Sequence, residues 1–118
     1  MKKAENLELI FNNVQPFIGQ TIQTARFARR TEKTVLAGYL RGKFGWGIGV
    51  QDLVGEIETQ KISITFEQFK NICCALDFSI EQLLKLAVSL RNCAETPEEN
   101  MRIAMNNFEY LIFQKQNS

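Results

Sequence analysis

Residues 50–61 read VQDLVGEIETQK, a segment whose apolar residues recur every three or four positions. The apolar positions of this repeat are Val50, Leu53, Val54 and Ile57. That spacing places them on one face of an α-helix. The opposite face is polar and we expect it to be exposed; it contains Gln51, Asp52, Gly55, Glu56 and Thr59. The segment therefore predicts a short amphipathic helix near residues 50–59.

A glycine-rich segment precedes this helix. Six of the seven glycines lie in residues 38–55, and residues 45–49 read GWGIG. That run is too flexible for a helix and predicts a loop. It does not indicate a P-loop, because no strand precedes it and Gly42-Lys43 is not followed by Ser or Thr. Trp46 is expected to anchor the loop to the core; stacking on a base or sugar is the alternative.

Helical spacing also extends upstream of the loop. A first helix should end at Pro16, because proline interrupts helical hydrogen bonding. Its apolar face consists of Leu7, Ile10, Phe11 and Val14. A second helix begins close behind it with Ile18, Ile22 and Ala25 facing inward. A third begins with Thr31 as its N-cap. The residues expected to face inward on this third helix are Val35, Leu36, Tyr39 and Leu40.

Three helix starts follow the loop. Thr65-x-x-Gln68 and Ser79-x-x-Gln82 are both capping boxes. The helix that begins at Thr65 is expected to bury Phe66, Phe69, Ile72, Cys73 and Leu76. The helix that begins at Ser79 is expected to bury Ile80, Leu83, Leu84, Ala87 and Leu90. Thr96-Pro97, followed by two glutamates, begins a last helix. Its apolar stripe contains Met101, Ala104, Met105, Phe108, Leu111 and Ile112. With no β-type alternation, the predicted fold class is all-α.

Composition limits the classes of protein to consider. A chain of 118 residues with 45% apolar residues suffices for one domain. The sequence shows neither a signal-peptide pattern nor an apolar run of membrane-spanning length, so we expect a cytoplasmic protein. Histidine is absent, which excludes His-based acid–base chemistry and His-containing zinc sites. The three cysteines, Cys73, Cys74 and Cys93, are too few for a four-cysteine zinc site and are expected to be buried. We therefore expect no enzyme activity, metal or cofactor.

Charge is nearly balanced overall but not locally. The net charge is +1, yet six basic residues and a single acid, Glu32, lie between residues 26 and 43. The basic residues are Arg26, Arg29, Arg30, Lys33, Arg41 and Lys43. A local basic patch of this kind is typical of nucleic-acid binding, although a solvated helix face has a similar composition.

Four segments in order resemble the lambda-repressor-like (XRE-type) helix-turn-helix family. Residues 18–26, IGQTIQTAR, resemble the opening I-G-x-x-I-x-x-x-R of that domain. Leu36-Ala37 is similar to the L-A pair of its second helix. Residues 57–61, IETQK, resemble the I-E-x-G-K pattern that ends its recognition helix, with Gln60 in place of glycine. Residues 75–84, ALDFSIEQLL, resemble the A-L-x-V-S-x-x-x-L-L junction of its last two helices.

The resemblance implies a fold and a domain organisation. It implies a helix-turn-helix bundle of about five helices at residues 16–94. Helical spacing adds an N-terminal helical extension at 1–15 and a further C-terminal helix at 95–118. The GWGI segment would lengthen the turn between the second and third helices of the domain. Arg26 and Glu58 occupy positions that commonly pair and hold the first helix to the recognition helix.

The resemblance further implies binding to double-stranded DNA, with the recognition helix in the major groove. Gln51 is suited to contact adenine, and Asp52 or Glu56 can accept a hydrogen bond from cytosine N4. Basic side chains would contact phosphates without selecting a sequence. The candidate DNA-contacting residues are Arg29, Arg30, Lys33, Thr34, Lys43, Gln51, Asp52, Gly55, Thr59 and Lys61.

The function expected from this resemblance is that of a sequence-specific transcriptional regulator, a repressor of bacterial, phage or plasmid type. Such domains usually act as homodimers, here through the helix that begins near Pro97 or through the apolar face of the N-terminal helix. The alternative is a degenerate helix-turn-helix that serves as a protein–protein interaction module. The acids of the recognition helix motivate that alternative.

Overall fold

The computed structural model describes residues 2–47 and 49–94, which form six α-helices and no strand. The helices are α1 (Lys2–Asn13), α2 (Ile18–Ala28), α3 (Lys33–Phe44), α4 (Leu53–Glu58), α5 (Phe66–Leu76) and α6 (Ile80–Ala94). A 3-10 turn at Gln15–Phe17 joins α1 to α2. The all-α prediction is therefore confirmed. The helix predicted to begin near Pro97 lies outside the described residues.

Local signals set most of the helix boundaries. Pro16 lies in the 3-10 turn that follows α1. The hydroxyl of Thr65 accepts from the Gln68 amide at 3.1 Å, and the Gln68 side chain accepts from the Thr65 amide at 2.9 Å. The corresponding bonds at the start of α6 are 2.8 and 3.0 Å long. Both predicted capping boxes are thus confirmed, because each satisfies backbone donors that a helix start leaves without partners.

The start of α3 differs from its prediction. The N-cap is Glu32, not Thr31, and its side chain makes no capping bond. Thr31 instead donates its hydroxyl proton to the Arg29 carbonyl at 3.3 Å. The hydroxyl is therefore engaged with the preceding turn, and the first turn of α3 begins without a side-chain cap.

The core is built around α2, which packs against α4, α5 and α6. Helix α3 covers α4 and α5, and α1 packs against α5 and α6. Phe11 of α1 lies 5.4 Å from the ring of Phe66 and 5.1 Å from that of Phe69. The N-terminal helix, expected as an extension, therefore contributes directly to the common core. None of the described helices combines the length and apolar character that crossing a membrane requires.

Two predicted core residues of α3 are exposed. Val35 is 59% and Tyr39 39% exposed, whereas Leu36, Ala37 and Leu40 are buried. Successive residues are rotated by about 100° around a helix, so the narrow face that meets α4 and α5 leaves Val35 and Tyr39 pointing outward. The Tyr39 ring rests edge-on against Phe44, with 5.9 Å between ring centroids. The inward orientation predicted for Val35 and Tyr39 was wrong.

The apolar face of α1 points into its own domain. Phe11 and Val14 are fully buried, and Leu7 packs against the core. Only Ile10 of the predicted face is exposed, next to Leu9, which is 60% exposed. The apolar face of α1, the alternative candidate for a dimer interface, is thus mostly buried in the core of its own domain.

Candidate nucleic-acid interface

A buried ion pair fixes the C-terminal end of α4 against α2. Arg26 donates from Nε to Glu58 Oε2 at 2.6 Å and from Nη2 to Glu58 Oε1 at 3.0 Å. Its Nη1 also donates to the Thr31 carbonyl at 3.0 Å, and the Phe27 ring lies 4.7 Å from the guanidinium carbon. The predicted pairing is confirmed. Bidentate geometry restricts the relative orientation of the two helices.

A second contact fastens the same end of α4. The Gly19 amide donates to Gln60 Oε1 at 2.5 Å. A Cβ at residue 19 would lie 2.5 Å from the Glu58 carbonyl oxygen and 2.7 Å from that of Ile57. Gln60 itself has a left-handed backbone with φ of 65°. Glycine adopts this conformation without strain, whereas glutamine does not; the side-chain bond to Gly19 helps to offset the strain at Gln60.

Gly19→Ala should therefore lower the stability of the domain by about 1–3 kcal/mol, the usual cost of overpacking a rigid contact. Two of the three nearest atoms are the backbone carbonyl oxygens of Ile57 and Glu58, which cannot rotate away, and the third is Gln60 Oε1. Urea unfolding measures the loss. Gly42→Ala on the exposed face of α3 is the matched control, because no atom lies within 4 Å of its added Cβ. Equal stability of Gly19→Ala and the wild type would contradict the close approach of α2 and α4.

At its N-terminal end α4 is shorter than predicted. The helix begins at Leu53, and Asp52 is its N-cap, accepting from the Gly55 amide at 3.2 Å. Gly55 is buried, because the Asp52 carboxylate folds over it; a Cβ there would lie 2.6 Å from Asp52 Cγ. The predicted exposure of Gly55 was wrong. Its backbone lies under a side chain, so it offers no surface for a direct contact with DNA.

The acidic residues of α4 are less available than the sequence suggested. Glu58 is buried against Arg26, and Asp52 is engaged in the cap. Glu56 is half-buried. The polar surface around the helix thus consists of Gln51, Asp52, Glu56 and Thr59. Of the three acids, Glu56 alone takes part neither in the ion pair with Arg26 nor in the N-cap.

The turn before α4 is anchored from inside. Gly45 ends α3 in the left-handed conformation with φ of 66°. Trp46 is 8% exposed, which confirms its predicted role as an anchor, and its buried Nε1 has no hydrogen-bond partner in the described part of the chain. Apolar packing therefore holds the ring. Arg41 adds a hydrogen bond from Nη2 to the Val50 carbonyl. Gln51 follows this fixed turn and is exposed.

The beginning of α3 presents a second polar surface beside α4. Arg30, Lys33 and Thr34 are exposed there, and Arg30 has a left-handed backbone with φ of 53°. The side chain of the N-cap residue, Glu32, makes no capping bond to the first amides of the helix. Uncapped amides and the helix dipole together favour an anion at such a terminus. These residues can accommodate a phosphate group chemically.

The Arg29 guanidinium is engaged in hydrogen bonds at the end of α5. Its Nε donates to the Leu76 carbonyl at 2.9 Å and its Nη2 to the Asp77 carbonyl at 2.7 Å. The guanidinium also lies 4.0 Å from the centre of the Phe78 ring. A cation is favourable at the C-terminal end of a helix, here α5. The structure therefore places Arg29 in a contact between helices, which corrects the prediction of a phosphate-contacting side chain.

The remaining predicted residues are exposed but spread out. Lys43 lies in the last turn of α3 with Nζ 5.8 Å from the centre of the Tyr39 ring. It lies ten positions after Lys33, about 15 Å along the helix axis, so the two lysines are placed to contact different phosphates. Thr59 donates to the Gly55 carbonyl at 2.9 Å, and Lys61 is exposed beyond it. Eight of the ten predicted residues are thus exposed around α3 and α4.

The thiols provide no site at this surface. Cys73 and Cys93 are buried as expected, but Cys74 is exposed. Burial raises the pKa of the Cys73 thiol to about 12, so it remains protonated and unreactive at neutral pH. Within residues 2–47 and 49–94, no group of three or more Cys, Asp or Glu side chains is arranged to hold a metal ion.

No family model, curated protein or solved structure matches the chain.

Proposed function

We propose that the protein is a sequence-specific DNA-binding transcriptional regulator of the lambda-repressor-like type, with α3 and α4 as its helix-turn-helix. The observation that carries the proposal is the Arg26–Glu58 pair. It joins two residues 32 positions apart that belong to two of the segments resembling the family. Helices α2 to α6 supply five helices in the order that the resemblance implies.

In the proposed complex, α4 and the turn before it face the major groove. Gln51, exposed after the anchored turn, makes the main base contact, and Glu56 can accept from a cytosine. Arg30, Lys33 and Thr34 contact a phosphate at the uncapped start of α3, while Lys43 and Lys61 contact others. Arg29 and Gly55 are not part of the contact surface, for the reasons given above.

The proposed regulator acts as a homodimer on double-stranded DNA in the cytoplasm, as a repressor of bacterial, phage or plasmid type. Two-fold half-sites require a symmetric pair of domains. Residues 97–118, whose apolar stripe supports this proposal, lie outside the described structure. No enzymatic role, metal or cofactor forms part of the proposal.

A second candidate is a protein–protein interaction module built on the same fold. Five of the six residues of α4 are buried, and the half-exposed sixth is the acid Glu56. Val35 and Tyr39 also give α3 an apolar outer face. A module of this kind would show no salt-sensitive binding to mixed genomic DNA, whereas a regulator would bind with steep salt dependence and prefer at least one fragment.

Two variants separate base contact from phosphate contact. Gln51→Ala should weaken binding to the preferred fragment by about 1–3 kcal/mol and leave binding to scrambled DNA unchanged. Lys33→Ala should weaken both and flatten the salt slope by about one unit, since one counterion fewer is released. Fluorescence anisotropy at several salt concentrations measures both effects.

Lys85→Ala is the matched control for these variants, because Lys85 is an exposed lysine on α6, a helix that packs mainly against α1 and α2. Its binding should equal that of the wild type. If Gln51→Ala and Lys33→Ala also bind like the wild type, this surface does not contact DNA and the interaction module is the better account.

A further inference from the structure

A close local contact at the start of α4 lies between its N-cap residue and its third residue. Asp52 accepts from the Gly55 amide at 3.2 Å, and its carboxylate occupies the space where a side chain at residue 55 would begin. A Cβ there would lie 2.6 Å from both Asp52 Cγ and Oδ1. Real Cβ atoms do not approach other atoms so closely. The position of the Asp52 carboxylate therefore depends on residue 55 having no side chain.

Glycine at this position is otherwise unfavourable. Inside a helix it loses more conformational freedom than alanine does, and φ at Gly55 is not left-handed. Backbone geometry therefore gives no reason for glycine here. The three atoms nearest to an added Cβ all belong to the Asp52 side chain, the far end of a flexible group.

The contact between Asp52 and Gly55 determines where the negative charge of the Asp52 carboxylate lies. Asp52 directly follows Gln51 and precedes α4, at the surface where the proposed duplex would lie. A carboxylate that folds over the first turn interacts with the helix N-terminus. A carboxylate released from that turn would instead face phosphates, which repel it, or a cytosine N4 donor, which it can bind.

We propose that Gly55 is a positioning residue that keeps the Asp52 carboxylate folded over α4 and out of contact with the bases, and thereby helps to determine which sequence is bound. This inference rests on the proposed DNA binding. It gives residue 55 an indirect role in specificity in place of the direct contact expected from the sequence. It also assigns base contact to Gln51 and Glu56 and removes Asp52 from that set.

Gly55→Ala tests the inference without disrupting the fold. Alanine favours the helix, and the lost cap opposes this by a similar amount, so the midpoint of urea unfolding should change little. The amide of residue 55 should exchange with solvent faster than in the wild type, because its acceptor has moved. Selection from randomised duplexes should then give lower affinity overall and a new preference for cytosine at one position.

Two control variants assign the effect to the carboxylate. Gly55→Ala combined with Asp52→Ser should lose the cytosine preference, since serine caps a helix but has no charge. Gly38→Ala, on the exposed face of α3 with no atom near its added Cβ, should bind like the wild type. Hydrogen exchange is measured by NMR on the free protein and does not require DNA.

The outcomes distinguish this inference from the proposed function. Faster exchange at residue 55 together with a change in preference that depends on Asp52 supports the inference. Unchanged exchange, or an unchanged preference in a protein whose wild type binds a selected duplex, overturns the inference alone. A wild type that binds no duplex in the selection overturns the proposed function and this inference with it.

Discussion

Arg26→Ala is expected to destabilise the protein by about 3–5 kcal/mol, the usual result of removing one partner from a buried ion pair. The substitution leaves the Glu58 carboxylate buried without its two guanidinium bonds. It also removes the bond to the Thr31 carbonyl that holds the turn before α3. Urea unfolding monitored by circular dichroism at neutral pH measures the loss, and the buried Trp46 provides a fluorescence signal.

The matched control for this variant is Lys70→Ala, which removes an exposed ion pair. In that pair Lys70 Nζ lies 3.0 Å from Glu67 Oε1. Pairs of this kind contribute little because solvent screens them, so the change should stay within about 0.5 kcal/mol. An equally small effect for Arg26→Ala would show that the Arg26–Glu58 pair does not hold α2 to α4.

Phe11→Ala should be comparably damaging, with a loss of about 3–5 kcal/mol, typical of removing a buried aromatic ring. Phe11 is 1% exposed and contacts the rings of Phe66 and Phe69. The cavity left between α1 and α5 could close only if α1 moved. The same unfolding measurement, together with proteolysis of the N-terminal helix, would detect the change.

Leu9→Ala is the control for this second variant, because it removes a large apolar side chain from the same helix at an exposed position. Its effect should stay within about 0.5 kcal/mol, as is usual at the surface. If Phe11→Ala were as mild as Leu9→Ala, α1 would be an appendage and would not be part of the core.

Features that depend on neighbouring residues could be predicted from the sequence. Pro16 and the capping boxes at Thr65 and Ser79 act over a few residues, so their positions mark helix boundaries directly. The Arg26–Glu58 pair is a long-range contact and could be predicted only because the segments containing it resemble a known pattern. Its geometry, burial and third bond to Thr31 came from the structure.

Features that depend on distant elements could not be predicted in this way. Arg29 belongs to a run of basic residues, but its acceptors lie 47 and 48 positions away at the end of α5. Periodicity placed Val35 and Tyr39 inside, yet the side of α3 that is buried depends on where α4 and α5 lie. Local spacing contains no information about these positions.

At the candidate interface, too, some features could be predicted from the sequence and others could not. Exposure of Gln51, Lys33 and Thr59 followed from their polarity. The folding of Asp52 over Gly55 did not, although an aspartate directly before a short apolar segment is a recognised N-cap signal. Treating Asp52 as a cap would have shortened the predicted helix at its N-terminal end and removed one acid from the proposed contact surface.

The most direct test of the central claim, that α4 and the start of α3 contact DNA, is an NMR titration of the 15N-labelled protein with a selected duplex. The account predicts that amide shifts change mainly at residues 30–34, 43, 49–52, 56 and 59–61, and that α6 around Lys85 changes little. Changes confined to α1 and α6, or no changes at saturating duplex and low salt, would contradict it.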